Sequence, residues 1–209
     1  MMLYIFDMGG VVTTTAALDE KLSAVLGITA QEFQKFCAGN SVAGCAERNA
    51  EDRDLFKLCS DGIIGAKEFW SEFSRRSGID VKTDWFHWLF HPERNEKTVA
   101  LIKFLRSQGN RVVCGTNTIE SHYLNHLERG DYAFFDQTYS SCLMGVSKPD
   151  TAFWSIILQA ENTRAQDTVF IDDRPENCEA AASLGIRAIH FTTAENTAEA
   201  LGIQAEDVF

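Results

Sequence analysis

The sequence predicts an α/β fold in which a parallel sheet carries helices on both faces. Five short segments of the 209-residue chain are apolar or rich in β-branched residues, and they are spaced widely. The stretches between the later segments repeat apolar residues at helical spacing. Because strands that alternate with helices usually pair in parallel, these observations indicate a Rossmann-like sheet.

Each predicted strand is a short run bounded by turn residues, as buried strands are. The first covers residues 2–6 and ends directly before Asp7. The strongest covers residues 168–171 and ends before the acidic pair Asp172-Asp173. The other three predicted strands are 111–115, 137–140 and 187–191.

The helices between these strands have clear start and stop signals. Pro175 stands where a first helical turn begins, and Gly185 follows the end of that helix. The segment 192–195, Thr-Thr-Ala-Glu, predicts a capping box for the last helix. The predicted helices are 95–107, 119–129, 150–160, 175–184 and 194–201.

One long stretch, residues 15–94, contains helical patterns and no convincing strand. The predicted helices there are 16–26, 30–38 after a Thr29-x-x-Glu32 capping box, 43–59 and 66–77. We therefore predict two domains. Residues 1–14 and 95–209 form the Rossmann-like catalytic core, and residues 15–94 form a helical cap domain inserted after the first strand.

The bulk properties restrict the classes of partner. With 19 basic and 30 acidic residues the net charge is −11, which disfavours nucleic acid and anionic membranes. The six cysteines form no C-x-x-C pair, and the apolar start of the chain is too short for a signal peptide or a membrane span. We expect a cytoplasmic protein, monomer or homodimer, with reduced thiols.

Polar residues follow four of the predicted elements at positions where a parallel sheet would gather them. They are Asp7, the pair Thr116-Asn117, Lys148 before Pro149, and the pair Asp172-Asp173. Any one of them is commonly a turn former or a helix cap. Ligands of open α/β sheets bind beyond the carboxyl ends of the strands, so the four together predict one site.

The residue types suit phosphoryl transfer. An aspartate can attack phosphorus and form an acyl phosphate. The transferred group carries negative charge that must be stabilised, and Lys148 and Thr116 supply an ammonium and a hydroxyl for this. Several carboxylates at one point repel each other unless a cation lies between them, and Mg²⁺ prefers such all-oxygen sites.

These motifs resemble those of the haloacid dehalogenase (HAD) superfamily of phosphotransferases. The family's first motif, D-x-D-x-[TV] after an apolar strand, corresponds to Asp7-Met8-Gly9-Gly10-Val11. Thr116, Lys148 and the pair Asp172-Asp173 correspond to the second, third and fourth motifs, in the family's order. The helical stretch 15–94 is similar to the family's small helical cap, and the D-x-G start is similar to a branch of sugar-phosphate phosphatases that includes glucose-1-phosphate phosphatase.

The resemblance implies a role for each matching residue. Asp7 would be the nucleophile, and Thr116, Asn117 and Lys148 would bind the phosphate of a small phosphorylated metabolite. The implied ligands of a Mg²⁺ cofactor are Asp7, the backbone carbonyl of Gly9, Asp172 and Asp173. Together these roles describe a Mg²⁺-dependent phosphatase with an aspartyl-phosphate intermediate.

Gly9 departs from the family pattern, which has an acid there to protonate the leaving group. A well-placed general acid contributes roughly 10²–10⁴-fold to the rate. Three interpretations follow: a phosphatase in which another group or water moves the proton, a phosphonatase- or dehalogenase-type hydrolase, and a catalytically weakened binding or regulatory protein. The pair Asp172-Asp173 argues against a metal-free dehalogenase, since bare carboxylates beside Asp7 would repel one another.

Overall fold

A computed structural model describes residues 1–15, 17–38 and 54–209 of the chain. In these ranges the strands are β1 Leu3–Phe6, β2 Thr13–Thr14, β3 Glu93–Arg94, β4 Arg111–Thr116, β5 Gln137–Ser140, β6 Thr168–Asp172 and β7 Arg187–His190. Five of them form one parallel sheet in the order β5-β4-β1-β6-β7. The predicted parallel sheet is therefore confirmed, with β1 at its centre.

The helices lie between the strands and around the sheet. In the part of the chain that the structure describes they are α1 Leu18–Leu26, α2 Ala30–Ala38, α3 Leu55–Ser60, α4 Ala66–Ser77, α5 Trp85–Leu89, α6 Glu96–Ser107, α7 Glu120–Glu128, α8 Ser141–Met144, α9 Ala152–Ala160, α10 Pro175–Ser183 and α11 Ala194–Leu201. The five helices predicted outside residues 15–94 are all present, as α6, α7, α9, α10 and α11.

Alternate residues of the strands supply two apolar layers. Phe6 points to the face covered by α6 and α11, where Ile102 is also buried. Ile5 points to the opposite face, where it packs with Trp154 of α9 and Ala181 of α10. Because both faces are covered, the central strands β1, β4 and β6 are largely buried and apolar, so they are visible in the sequence as continuous runs. The edge strands β5 and β7 are partly exposed and contain polar residues.

One predicted helix start is wrong in detail. The capping box expected at residues 192–195 does not form, because α11 uses the second of two adjacent threonines as its cap. The Thr193 hydroxyl accepts a hydrogen bond from the main-chain N–H of Asn196 at 3.1 Å. The Glu195 carboxylate instead forms an ion pair with Lys97 of α6.

A two-stranded ribbon joins the sheet to the helical stretch. β2 and β3 pair antiparallel, with Thr13 opposite Arg94 and Thr14 opposite Glu93. The chain therefore leaves the sheet and returns to it at adjacent points, and Asn95 N donates to Val12 O at 2.8 Å beside the ribbon. These points coincide with the predicted boundaries at residues 14/15 and 94/95, although the division into two domains stays a prediction.

The stretch between β2 and β3, called the helical insertion below, has an apolar cluster of its own. Its buried members include aromatic side chains from several helices, namely Phe33, Phe69, Trp70, Phe73 and Phe86. The predicted helices 16–26, 30–38 and 66–77 are present, and the Thr29–Glu32 capping box forms. Of the predicted helix 43–59, α3 supplies the end, and residues 43–53 lie outside the described residues.

Two further findings concern the whole described chain. No helix in the described ranges is long and apolar enough to cross a membrane. Five cysteines in these ranges are unbridged thiols: Cys37, Cys59, Cys114, Cys142 and Cys178. Cys45 lies outside the described residues.

The buried imidazole of His122 should make the stability of the folded protein depend on pH. Its ring stacks on Phe90 with centroids 3.9 Å apart, and burial, aided by the nearby His126, lowers the pKa of His122 to about 3. The unfolded chain binds this proton near pH 6.5, so between pH 6.5 and 3 the unfolded state holds more protons. The free energy of unfolding should therefore fall as the pH is lowered through this window.

Urea unfolding at pH 7 and pH 5 checks this expectation. His122→Phe should make the unfolding free energy less dependent on pH than in the wild type. His91→Phe is the matched control, because the His91 side chain is exposed. An equal pH dependence in the wild type and His122→Phe would contradict the proposed contribution of the buried ring.

Candidate active site

Asp7 lies at the centre of the carboxyl edge of the sheet. It follows directly on β1, the middle strand, and its main-chain N–H donates to the Ile171 carbonyl at 2.9 Å. Only 8% of the residue is exposed. The neighbouring strands β4 and β6 end on either side of it, so their terminal residues are brought next to the Asp7 carboxylate.

The ammonium of Lys148 lies between the carboxylates of Asp7 and Asp172. Its buried ammonium donates to Asp7 Oδ1 at 2.8 Å, Asp172 Oδ2 at 2.7 Å and Gly115 O at 2.9 Å. These three contacts use all the donors that an ammonium has. Burial alone would lower the pKa of Lys148, but the attraction of Asp7 and Asp172 outweighs burial and raises this pKa. The side chain is therefore a fixed positive charge.

Asp172 is fully buried and fully hydrogen-bonded. Besides Lys148, its carboxylate accepts from the main-chain N–H of Arg174 at 2.9 Å. The Asn177 amide donates to both of its oxygens, at 3.0 and 3.1 Å. The role of Asn177 was not predicted, since an Asn in the first turn of a helix usually faces water. Its spacing of five residues from Asp172 is the only signal that the sequence offers.

Asp173 completes a cluster of three carboxylates with Asp7 and Asp172. One oxygen from each lies within 4.8 Å of the others. Burial, opposed by Lys148 and reinforced by Asp172, raises the pKa of Asp7 to about 6. Burial and the charge of Asp172 also raise the pKa of Asp173. Burial is the larger cause of both shifts, and the charge of Asp172 adds to it. Three carboxylates in this cluster face the single ammonium of Lys148.

This donor set fits Mg²⁺. Its ligand atoms are carboxylate oxygens, which hard divalent cations prefer, and a cation would offset the surplus negative charge. The hydrogen bonds of the described residues include none from another side chain to the Asp173 carboxylate and none to the Gly9 carbonyl. Both groups are therefore available as ligands, and the predicted metal residues are brought together at one edge of the sheet.

The local structure requires a glycine at only one of the two positions Gly9 and Gly10. Gly10 has a φ of +79°, and a Cβ there would lie 2.3 Å from Asp173 Oδ2. A side chain at this position would be strained and would also displace a carboxylate of the cluster. A Cβ on Gly9 would meet no atom within 4 Å, and its φ is not left-handed. Only Gly10 is therefore demanded by the local structure.

Gly10→Ala should destabilise the protein and weaken Mg²⁺ binding. The left-handed backbone costs roughly 1–2 kcal/mol for a residue other than glycine, and the clash with Asp173 adds to this. Gly9→Ala is the matched control and should unfold at the wild-type urea concentration. Chemical unfolding and calorimetric Mg²⁺ titration of both variants provide the comparison. Equal unfolding midpoints and equal Mg²⁺ affinities of the two variants would contradict the prediction.

Thr116 and Asn117 follow each other at the end of β4. Thr116 is buried, and its hydroxyl lies 3.4 Å from the Asn117 carbonyl. The Asn117 side chain holds the main chain of Lys148: its amide donates to Lys148 O at 2.8 Å, and its oxygen accepts from Lys148 N at 2.8 Å. This clamp was not predicted. Phosphate binding by Thr116 and Asn117 stays a prediction.

The helical insertion contacts the loop that carries Lys148. The hydroxyl of Ser147 donates to Asp61 Oδ1 at 2.7 Å and accepts from Lys57 Nζ at 2.9 Å. Gly62 follows with a φ of +65°, and a Cβ on it would lie 1.9 Å from the Cys142 carbonyl oxygen. The end of α3 therefore packs directly against the loops that follow β5, next to Lys148.

The fold and this arrangement of motif residues define a hydrolase of the HAD type. The chain matches the haloacid dehalogenase-like hydrolase family over residues 1–185 and therefore belongs to this family. The class predicted from the motifs is confirmed.

Two of the curated relatives are named as a phosphatase and a nucleotidase. The sesquiterpene phosphatase astK of Aspergillus oryzae is 32% identical over 195 residues, which cover 90% of this chain and 88% of that protein. The GMP/IMP nucleotidase YrfG of Escherichia coli is 28% identical over 121 residues, 57% of this chain and 53% of that protein.

Solved structures share the fold. A HAD-like family hydrolase from Porphyromonas gingivalis has a TM-score of 0.76 at 23% identity, covering 97% of this chain and 96% of that one. A HAD family enzyme from Bacteroides thetaiotaomicron, in complex with magnesium and inorganic phosphate, has a TM-score of 0.72 at 20% identity, covering 92% and 94%.

Proposed function

We propose that this protein is a Mg²⁺-dependent phosphatase that hydrolyses a small phosphate monoester through an aspartyl-phosphate on Asp7. The observation that carries the proposal is the cluster of Asp7, Asp172 and Asp173 around a single buried ammonium. An excess of carboxylates at one point suits a site that binds a cation together with an anionic substrate. The relatives named as phosphatases support the same reaction.

The proposed nucleophile is the second oxygen of Asp7, since Oδ1 is held by Lys148. A bond forms from Asp7 Oδ2 to phosphorus as the bond to the leaving oxygen breaks, and that oxygen takes a proton from water. A second water then cleaves the acyl phosphate and releases inorganic phosphate. The Thr116 hydroxyl is proposed to bind the phosphoryl oxygens.

The metal ligands proposed from the chain are Asp7, the Gly9 carbonyl and Asp173, with Asp172 at the same cluster. Because Asp172 accepts from Asn177 and Lys148, its part is to hold the ammonium beside Asp7. When bound, Mg²⁺ supplies positive charge that stabilises the transferring phosphoryl group. The complex of the Bacteroides thetaiotaomicron enzyme with magnesium and inorganic phosphate supports Mg²⁺ as the cofactor proposed here.

The proposed substrate class is a small phosphorylated metabolite, such as a sugar phosphate. The relatives are named for different substrates, a sesquiterpene and the nucleotides GMP and IMP, so their names support a phosphorylated substrate without specifying the rest of the molecule. Selectivity for the leaving group is then a property of the helical insertion. Its α3 contacts Ser147, the residue before Lys148.

A panel of phosphorylated metabolites, assayed with Mg²⁺ and with a chelator, tests the proposal. Phosphate release that requires Mg²⁺ is expected for at least one compound. No release from any compound, together with no binding of Mg²⁺ or beryllofluoride, would favour a binding or regulatory protein. Turnover of 2-chloropropionate without metal would instead favour a dehalogenase.

A further inference from the structure

A buried carboxylate outside the candidate active site holds three basic side chains together. Asp131 lies just after α7, and its side chain is fully buried. Its Oδ1 accepts from Arg94 Nε at 2.6 Å, and its Oδ2 lies 3.0 Å from Arg129 Nε and 2.9 Å from His126 Nδ1. Burial alone would raise the pKa of Asp131, but the hydrogen bonds from these three side chains outweigh burial and lower it. The carboxylate is therefore a fixed negative charge.

These four residues, called the Asp131 network below, attach the ribbon to the core. Arg94 is the last residue of β3, and its guanidinium also donates to Arg129 O at 3.1 Å. The Arg129 guanidinium in turn donates to Pro92 O at 2.7 Å, directly before β3. The chain at the end of α7 thus holds both β3 and the residue that precedes it.

The ribbon in turn holds the loop that follows the proposed nucleophile. Thr13 of β2 lies opposite Arg94 of β3. Thr13 N donates to Met8 O at 2.9 Å, and Thr13 O accepts from Gly10 N at 2.7 Å. Gly9, whose carbonyl is a proposed metal ligand, forms a β-bridge with Thr13. A continuous set of hydrogen bonds therefore leads from the Asp131 network to the proposed Mg²⁺ site.

We infer that Asp131 and Arg94 are positioning residues, which fix the ribbon and thereby hold the loop of residues 8–13 in the geometry that binds Mg²⁺. Asp131 acts on this loop through Arg94 and the main chain of the ribbon. Contacts that orient metal ligands typically account for about 10–100-fold in metal affinity. The inference rests on the proposed function, because it concerns the Mg²⁺ site proposed above.

Arg94→Leu is the most direct test. It detaches β3 from the Asp131 network, while Asp131 keeps its contacts with Arg129 and His126. Hydrogen exchange of the metal-free protein, followed by mass spectrometry, should be faster in the peptide that covers residues 8–13. The calorimetric Kd for Mg²⁺ should rise about 10–100-fold. An unchanged Kd overturns the inference, and so does unchanged exchange of this peptide.

Asp131→Asn and a matched control distinguish positioning from stability. Asp131→Asn should lower the urea midpoint and raise the Kd for Mg²⁺, as Arg94→Leu does. The control is Glu161→Gln, because the Glu161 side chain is 7% exposed and pairs with Arg111 at the amino end of β4, away from the site. It should lower the urea midpoint and keep the wild-type Kd.

An equal rise of the Kd in Glu161→Gln would show that lost stability alone weakens Mg²⁺ binding, which overturns the inference. If Asp131→Asn does not fold, the comparison of Arg94→Leu with Glu161→Gln decides.

Failure of the proposed function has a different signature. In that case the wild type binds no Mg²⁺ and releases no phosphate from any compound of the panel, and the inference falls with the site. A wild type and an Arg94→Leu variant that bind Mg²⁺ equally tightly would leave the phosphatase proposal standing and remove only the positioning role.

Discussion

Asp7→Asn is expected to abolish phosphate release, with kcat lower by about 10⁴-fold or more, as when other covalent nucleophiles are removed. An amide oxygen is a far weaker nucleophile than a carboxylate, and the Oδ1 position can still accept from Lys148. The substitution also removes one of three clustered negative charges. We therefore expect the variant to fold and to unfold at the same urea concentration as the wild type.

Steady-state turnover, urea unfolding and mass spectrometry of an acid-quenched reaction provide the three measurements. A covalent phosphate adduct should form on the wild type and be absent from Asp7→Asn. Asp80→Asn is the matched control, since this carboxylate lies in the helical insertion and its side chain is 77% exposed. Near-normal turnover by Asp7→Asn would show that another residue attacks phosphorus.

Lys148→Met should have the largest effect on stability and also remove activity. It leaves the carboxylates of Asp7 and Asp172 buried without their cation, and breaking a buried ion pair in this way typically costs about 3–5 kcal/mol. Lys148 opposes the rise that burial causes in the pKa of Asp7, so removing the ammonium should raise this pKa further above its unfolded value. The folded variant then binds protons more readily than its unfolded chain, so the deficit should shrink as the pH falls from 7.5 to 5.

The double variant Lys148→Met/Asp172→Asn distinguishes the effect of the buried charges on stability from the effect of Lys148 on turnover. Removing both charges of the buried pair should restore much of the lost free energy of unfolding, because no uncompensated carboxylate remains at residue 172. Turnover should stay absent, since the ammonium beside Asp7 is still missing. Urea unfolding in metal-free buffer is the appropriate measurement. A double variant as unstable as Lys148→Met would show that the cost arises from packing and not from charge.

The three central strands of the sheet were predictable because they are buried on both faces. Such strands are continuous apolar runs, and the residues that follow them necessarily meet at one edge. For this reason Asp7, Thr116, Lys148, Asp172 and Asp173 could be placed together before the structure was considered. The short ribbon of β2 and β3 and the single-turn α8 were not predicted, because two to four residues carry no periodic signal.

The contacts that support the site were less predictable. Asn117 was expected at the phosphate, but its side chain is engaged with the main chain of Lys148, which is 31 positions away in sequence. Asn177 and Ser147 are ordinary helix and loop residues by composition. Their partners are set by how the loops fold together, and a single sequence contains no pattern for such tertiary hydrogen bonds.

The hydrogen bonds of Ser147 with Asp61 and Lys57 bear on how this enzyme can be re-engineered. A chimera that replaces residues 15–94 with the corresponding helices of a relative would remove both partners of Ser147, one position before Lys148. Gly62 imposes a second condition, since a larger residue there would push the grafted helices away from the Cys142 carbonyl. Exchanges of the helical insertion should therefore include the loop that ends at Ser147, so that this residue keeps hydrogen-bond partners beside Lys148.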